Sequence, residues 1–209
     1  MGSPEITLND GRIRRIMSRK EKYLITEVIK GVPLLFETEA DLFSPDYIDR
    51  GTLAMLSITE FSVSDKVLDL GCGYGVVGIT AAKIIGPQNV FMSDNNEKAV
   101  YLSRRNAALN GIDDVTVTLS DGFTNIQEKD FTLILSNPPY HADFSVPKHF
   151  IEKGFNRLPL GGIMTMVTKR KDWYKNKLTA IFGGVKINKI DGYFVFVAEK
   201  RNIRYANVT

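Results

Sequence analysis

The sequence predicts an α/β fold, a doubly wound and mostly parallel seven-stranded sheet that ends in a C-terminal antiparallel hairpin. Three observations carry that expectation. Short apolar runs of strand length alternate with stretches whose apolar residues recur at helical spacing. A glycine cluster between Gly71 and Gly78 stands where the first run meets the first helix, which suits a tight strand-to-helix turn. The last two runs are separated only by Asp191-Gly192, a two-residue hairpin signal.

The elements follow in order. Lys66-Val67-Leu68-Asp69-Leu70 is a short apolar run that ends in the glycine cluster, and residues 76–85 continue with helical spacing. Asn89 to Ser93 reads as a second strand, followed by a helix from Glu97 to Leu109 that Asn110-Gly111 stops. Val115 to Leu119 alternates as a third strand, whereas Phe131 to Leu135 is continuously apolar, the pattern of a strand buried on both faces. A helix is expected over residues 148–158, ended by Pro159 and Gly161-Gly162. Ile163 to Val167 is then the fifth strand, Trp173 to Phe182 the last helix, and Val185 to Ile190 with Tyr193 to Ala198 the closing pair. Strands that alternate with helices require right-handed crossovers, hence a parallel sheet covered on both faces. No linker, repeat or low-complexity tract interrupts the chain, so one domain is expected. Its first fifty residues, basic and polar at the start, read as a lid or substrate arm over the strand ends, where ligands bind in such sheets.

With 209 residues, 44% of them apolar and 24% charged, the chain can bury a sizeable core and is neither a disulfide-stapled miniprotein nor a disordered tail. No run approaches the ~18 apolar residues of a membrane span. Met1-Gly2-Ser3-Pro4 leads into polar sequence without a signal-peptide core, so a cytoplasmic protein is expected. Cys72 is the only cysteine, and His141 and His149 are the only histidines; no internal disulfide and no metal site are expected. Charge is spread unevenly. Residues 1–30 carry seven Lys/Arg against four Asp/Glu, residues 31–146 seven against sixteen, and residues 147–209 thirteen against four. A basic C-terminal third, joined by Arg12-Ile13-Arg14-Arg15, suits a polyanionic partner as well as it suits a solvated face of lysines.

Asp69-Leu70-Gly71-Cys72-Gly73-Tyr74-Gly75 sits where backbone must approach a ligand closely, and N–H groups at the start of the following helix favour an anionic group. Gly73-x-Gly75-x-x-Gly78 also satisfies the dinucleotide pattern, with Asp94 at roughly the ~20-residue spacing that pattern wants. The loop alone therefore does not separate NAD from S-adenosyl-L-methionine. Asp69 favours the second, because a carboxylate there can hold the cationic amino group of a methionine moiety. Asp94 closes the second strand, where a carboxylate can accept both ribose hydroxyls, and Asn95 follows it against the adenine. Asp121-Gly122 closes the third, where an acid can accept from an adenine amino group. Asp and Gly commonly terminate strands for local reasons; three acids at three successive strand ends form a pocket for a neutral-to-cationic nucleoside that a pyrophosphate would avoid.

Ser136-Asn137-Pro138-Pro139-Tyr140 follows the fourth strand. Two prolines make a rigid turn and remove two N–H donors. The Asn137 side-chain oxygen and the Pro138 carbonyl can then accept from a planar amino group, while Tyr140 offers a ring to stack on. Such a group is a poor nucleophile until its hydrogens are held and its lone pair is aimed, so rate would come from positioning and electrostatics.

On these residues the chain resembles the class I S-adenosylmethionine-dependent methyltransferases, whose sheet is Rossmann-like. Val67 to Gly75 carries the likeness for the cofactor loop, Asp94 and Asp121 for ribose and adenine, and Asn137-Pro138-Pro139-Tyr140-His141 for catalysis. Within that class it resembles the small methyltransferase family that includes ribosomal RNA guanine-N2 methyltransferases of the small-subunit type. Leu42-Phe43-Ser44 and Ile48-Asp49-Arg50-Gly51-Thr52 look like that family's lead-in, which puts Gly51 and Thr52 near the methionine end of the cofactor. The likeness continues through Leu160-Gly161-Gly162 to the Gly192-Tyr193 hairpin and covers roughly residues 34–200. It implies a single methyltransferase domain with residues 51–209 as catalytic core, transferring a methyl group to an exocyclic amino group, first of all guanine N2 of ribosomal RNA. The family's usual Phe after the prolines is Tyr140 here, as in enzymes acting on adenine N6 or glutamine N5, which remain alternatives. An NAD-dependent oxidoreductase is the alternative from another class. The larger ribosomal members carry an extra N-terminal domain, for which this chain has no room.

The remaining candidates lie around the turn. His141 and Asp143 follow it directly, where a positioning role on the substrate side is expected, and His149 reads as a packed or solvated side chain. Lys169-Arg170-Lys171 with Trp173 comes directly after the fifth strand and interleaves basic and aromatic residues, which suits single-stranded or flipped-out nucleic acid; a basic helix start with Trp173 in the core is the equal alternative. Cys72 is expected to be a small residue under the methionine moiety rather than a nucleophile.

Overall fold

The computed structural model describes residues 5–7, 13–16, 22–139 and 144–206. It begins with an antiparallel sheet of four strands in chain order, β1 (Glu5–Thr7), β2 (Ile13–Ile16), β3 (Lys22–Ile29) and β4 (Val32–Glu39). Lys30 and Gly31 turn the β3–β4 hairpin at φ 51° and 79°, the paired positive values that match the right-handed twist of strands. A loop and helix α1 (Arg50–Ile58) lead into the main sheet, formed with β5 (Val67–Leu70), β6 (Val90–Asp94), β7 (Thr116–Leu119), β8 (Leu133–Ser136), β9 (Ile163–Thr168), β10 (Lys186–Ile190) and β11 (Tyr193–Glu199). Its order is β10-β11-β9-β8-β5-β6-β7. All neighbours are parallel except β11, which runs antiparallel to both β9 and β10. The predicted seven-stranded sheet with its closing hairpin is therefore the observed one.

Helices α2 (Val76–Ile85), α3 (Glu97–Leu109), α4 (Ser145–Arg157) and α5 (Lys171–Phe182) cover the two faces. The strands sort their apolar residues by parity. Val67, Leu133, Leu135, Val167 and Val195 join α1, α2, α3 and the β3–β4 hairpin in one core, while Leu68, Leu70, Ile134, Met166 and Phe196 join α4 and α5 in the other. Both faces being buried explains why these strands read as unbroken apolar runs.

The boundaries differ from the sequence expectation in instructive ways. Helix α4 starts three residues earlier than its periodicity suggests, because Pro147 lies in the first turn, where no N–H is needed. Phe131 is fully buried but lies ahead of β8 and donates its N–H to the Arg157 carbonyl at 3.0 Å; the apolar run reported burial rather than strand pairing. The β3–β4 hairpin and α1 have no counterpart among the elements read from periodicity. Ile25, Ile29, Leu34 and Phe36 of the hairpin are buried in the same core as α2 and α3.

The outer edge of β4 is closed by Asn106 of α3 and by Asn110, the C-cap of that helix. Leu35 N–H donates to Asn110 Oδ1 at 3.0 Å and Asn110 Nδ2 returns a bond to the Leu35 carbonyl at 2.7 Å. Glu37 N–H donates to Asn106 Oδ1 at 2.7 Å and Asn106 Nδ2 to the Glu37 carbonyl at 2.9 Å. Four residues of helix rise ~6 Å and two residues of strand ~6.7 Å, so amides one helical turn apart meet alternate rungs of the strand. Arg105 adds a bidentate pair to the Glu37 carboxylate.

Candidate active site

The order of strands reverses at β5, whose neighbours are β6 and β8. The crevice outside the strand ends at such a switch point is where ligands bind in open α/β sheets. A cavity of about 370 Å³ opens there. Its floor is the β5–α2 loop, its sides are the ends of β6, β7 and β8, and residues 41–44 with the start of α1 close it from the N-terminal side. No Lys, Arg or His is among the described residues that line it, whereas Asp41, Asp49, Asp69, Asp94 and Asp121 all do.

Of the sequence-predicted cofactor residues, Thr52, Asp69, Gly71, Cys72, Gly73, Asp94, Asn95, Asp121, Gly122 and Asn137 all line this cavity. Gly71, Gly73 and Gly75 take φ of 78°, 56° and 96°, which L side chains rarely adopt. Gly78 is needed for a different reason: a Cβ there would stand 2.3 Å from the Met92 sulfur, so its absence lets α2 lie close on β6. That contact also brings the Gly78 N–H within 2.9 Å of Asp69 Oδ2. Asp69 is 2% exposed. Burial pushes its carboxyl up to about 7, the Gly78 N–H opposes the shift, and the Asp94 charge adds to it.

Asp94 takes the Gly73 N–H on Oδ2 and the Asn96 N–H on Oδ1, both at 2.9 Å. Its position is thereby fixed by backbone, and the carboxylate keeps acceptor capacity for a further donor. Burial again raises its pKa, against the lowering effect of the Asn96, Gly73 and Asn95 N–H groups. Cys72 is buried, and burial with the charges of Asp69 and Asp94 holds its thiol well above the ordinary range, the reverse of what a nucleophilic cysteine needs. Asp121 stands exposed on the rim, and Gly122 packs so closely on His149 that a Cβ would meet that ring at 2.7 Å.

At the end of β8, Ser136 Oγ donates to the Leu70 carbonyl at 2.7 Å and ties the strand end to the floor of the cavity. Asn137 Nδ2 donates to Asp49 Oδ1 at 2.8 Å and to Thr52 Oγ1 at 2.9 Å. A carboxylate only accepts, so the amide has one orientation, with Oδ1 directed away from α1. Pro139 lines the cavity, and Pro138 is buried and does not. Tyr140, His141 and Asp143 lie outside the described residues.

Lys169, Arg170, Lys171 and Trp173 are not brought into the cavity. They form a basic and aromatic rim at the start of α5. Trp173 stacks on Phe144 with ring centres 4.3 Å apart, and the Arg170 guanidinium lies 5.0 Å from the Phe144 ring. Lys169 lies over Tyr193 and Lys171 over Phe194. Phe144 opens α4, whose Val146 and Phe150 line the cavity wall, so rim and cavity share one element.

Sequence reasoning gave no role to several residues that shape the site. Asp49 caps α1, accepting the Thr52 N–H at 2.9 Å as well as the Asn137 amide. Ser103 and Asn106 of α3 hold the glycine loop from behind, donating to the Gly73 and Tyr74 carbonyls at 2.8 Å each. Asp49 belongs to the Ile48-Asp49-Arg50-Gly51-Thr52 segment, yet nothing local tells that it meets a side chain 88 positions away; Ser103 and Asn106 read as ordinary polar helix positions.

A family model described as Methyltransferase small domain matches residues 33–197. The chain is 34% identical over 171 residues to the YbxB protein of Bacillus subtilis (strain 168), covering 79% of this chain and 85% of that one. It is 37% identical over 164 residues to Ribosomal RNA small subunit methyltransferase C of Actinobacillus pleuropneumoniae serotype 7 (strain AP76), covering 73% of this chain and 49% of that one. Among solved structures, the Thermus thermophilus 16S rRNA N2 G1207 methyltransferase in complex with AdoMet and guanosine superposes with a TM-score of 0.78 at 24% identity, over 88% of this chain and 52% of that one. The chain thus spans about half the length of these ribosomal RNA methyltransferases.

Proposed function

The chain belongs to the methyltransferase small domain family, and from that premise we propose that it is an S-adenosyl-L-methionine-dependent N-methyltransferase whose acceptor is an exocyclic amino group, guanine N2 of ribosomal RNA. The observation that carries the reading is the fixed Asn137 amide, whose nitrogen is bound to Asp49 and Thr52 and whose oxygen is thereby left for another donor, beside a cavity lined by acids and free of basic side chains among the described residues. Such a lining suits a cofactor that carries an ammonium and a sulfonium and repels the pyrophosphate of a dinucleotide. The ribosomal RNA assignment is supported by the relatives named as ribosomal RNA methyltransferases, and the choice of guanine N2 by the structural neighbour described as an N2 G1207 methyltransferase in complex with guanosine.

S-adenosyl-L-methionine supplies an electrophilic methyl group when bound. The chain's part is to bind, orient and hold. Asp69 takes the ammonium of the methionine moiety, Asp94 the ribose hydroxyls, and Asn95 with Asp121-Gly122 the adenine. Thr52, Gly71, Cys72 and Gly73 shape the surface between them. Asn137 Oδ1 and the Pro138 carbonyl accept the two hydrogens of the acceptor amine and aim its lone pair, Pro139 stiffens the turn, and Tyr140 stacks on the base. The proton released from the methylated nitrogen passes to water, so no general base is required. Contact with RNA is assigned to His141, Lys169, Arg170, Lys171 and Trp173, and the protein acts in the cytoplasm.

The test is methyl transfer from labelled S-adenosyl-L-methionine into ribosomal subunits, naked total RNA and a protein extract in parallel, with nucleoside analysis of any labelled RNA. Label in N2-methylguanosine is expected. Label in N6-methyladenosine or in protein glutamine would keep the enzyme class and replace the substrate. No transfer to any of the three would sink the reading.

A further inference from the structure

From the geometry around Asn137 we propose that Asp49 is a positioning residue: it fixes which end of the Asn137 amide faces the acceptor and so restricts the acceptor to groups that carry a hydrogen. The inference rests on the N-methyltransferase reading above.

Asn137 has two chemically opposite ends on one planar group, an oxygen that accepts and a nitrogen that donates. Both ends have nearly the same shape, so packing alone does not choose between them. Asp49 does. Its Oδ1 accepts from Asn137 Nδ2 at 2.8 Å and from the Thr52 N–H at 2.9 Å, and the Thr52 hydroxyl accepts the second Asn137 hydrogen at 2.9 Å. Both amide hydrogens are thus spent on α1. Asp49 is 8% and Thr52 7% exposed, so water does not compete freely for these bonds. Turning the amide over would set its oxygen against the Asp49 carboxylate, acceptor against acceptor, and leave buried groups unpaired. The outward Oδ1 meets an amino hydrogen favourably and meets the bare lone pair of a ring nitrogen unfavourably. Selection of an amino nitrogen over a ring nitrogen therefore begins at Asp49, the N-cap of α1, 88 positions before Asn137 in the chain.

Helix capping and amide locking are separable. Asp49→Ser keeps a good N-cap but has a hydroxyl one atom shorter, able to donate or accept, and so does not impose an orientation. Asp49→Asn keeps an oxygen where Oδ1 now stands and should rescue the lock. Two readouts are needed. In uniformly 15N-labelled protein without substrate, with the Asn137 signals assigned by their loss in Asn137→Ala, the side-chain amide should be protected from hydrogen exchange in wild type and Asp49→Asn and unprotected in Asp49→Ser. In methyl transfer to ribosomal subunits, Asp49→Ser should lower kcat by at least about tenfold with the dissociation constant for S-adenosyl-L-methionine changed less than about threefold, the pattern of lost orientation rather than lost binding. Asp49→Asn should stay within about threefold of wild type in both respects. Unchanged amide protection in Asp49→Ser overturns the proposal whatever the turnover, and so does lost protection with wild-type kcat. A wild type without transfer activity would overturn it through the functional reading, and the exchange data would then tell that failure from a missing lock.

Discussion

At the scale of single residues, Asn137 and Asp69 answer to different measurements. Asn137→Ala removes the oxygen proposed to hold the acceptor amine and alters the cofactor cavity only at its wall. Turnover should fall by about a hundredfold or more while cofactor affinity stays within a few fold; isothermal titration beside a single-turnover assay would show the split, and an active variant would remove Asn137 from the chemistry. Asp69 should report through pH. Its carboxyl, raised by burial to about 7, must be ionised to hold an ammonium, so affinity for S-adenosyl-L-methionine should weaken as pH falls below 7, by up to about tenfold per unit. Asp69→Asn should bind weakly at every pH. The same shift has an opposite consequence for stability. Between the ordinary aspartate value near 3.8 and about 7 the folded protein binds more protons at Asp69 than the unfolded chain, so this group's contribution is largest at low pH and is lost as pH rises through 7. Asp69→Asn can still accept the Gly78 N–H, and in thermal melts without cofactor it should be more stable than wild type at pH 8, with the gap closing toward pH 5.

At the scale of elements, α3 is the strut between the N-terminal hairpin and the glycine loop. Asn106 alone satisfies the Glu37 N–H, the Glu37 carbonyl and the Tyr74 carbonyl, and it is fully buried. Replacing it with Leu, of similar volume, leaves three buried backbone groups without partners, each worth about 1–3 kcal/mol. Asn106→Leu should therefore lose at least about 3 kcal/mol in urea unfolding, while Asn110→Ala, whose site is partly open to water, should lose less. Equal losses would mean that the hairpin is held by its apolar face instead. The element scale is also where sequence reading stopped short. Periodicity found α3 with its true ends because its apolar residues mark a buried stripe, but Asn106 and Asn110 carry the same polar signature as a solvated face. Their partners are the exposed rungs of β4, and rungs have no residue identity to read. The hairpin itself had a signal in Lys30-Gly31 between alternating runs; it was obscured by the basic, polar residues before it.

At the scale of the molecule, the uneven charge acquires a direction. Five of the middle third's acids, Asp41, Asp49, Asp69, Asp94 and Asp121, line the cavity, and Lys169, Arg170 and Lys171 stand outside it beside the stacked Phe144 and Trp173. If that rim meets RNA, replacing the three with Ser should weaken RNA binding and flatten its dependence on salt by about 2 in the slope of log K against log salt concentration, at ~0.7 per phosphate contact on a single strand. Cofactor affinity should not move. An unchanged slope would place the RNA elsewhere.

The sequence by itself determined whatever depends on near neighbours. Strand and helix alternation, the left-handed glycines of the β5–α2 loop, the stiff Asn137-Pro138-Pro139 turn and an acid at each of three strand ends all follow from local sterics and from the periods of 2 and 3.6 residues. Only the tertiary structure decided how those pieces address one another. It set the Gly78 N–H on Asp69, stapled β4 to α3, left Lys169 to Trp173 on the rim, and turned the Asn137 amide through Asp49. Each of these is a hydrogen bond or a packing contact between residues far apart in the chain. A hydrogen bond depends on the direction of two specific atoms, whereas the periodic burial that a sequence displays records only how far a side chain stands from water.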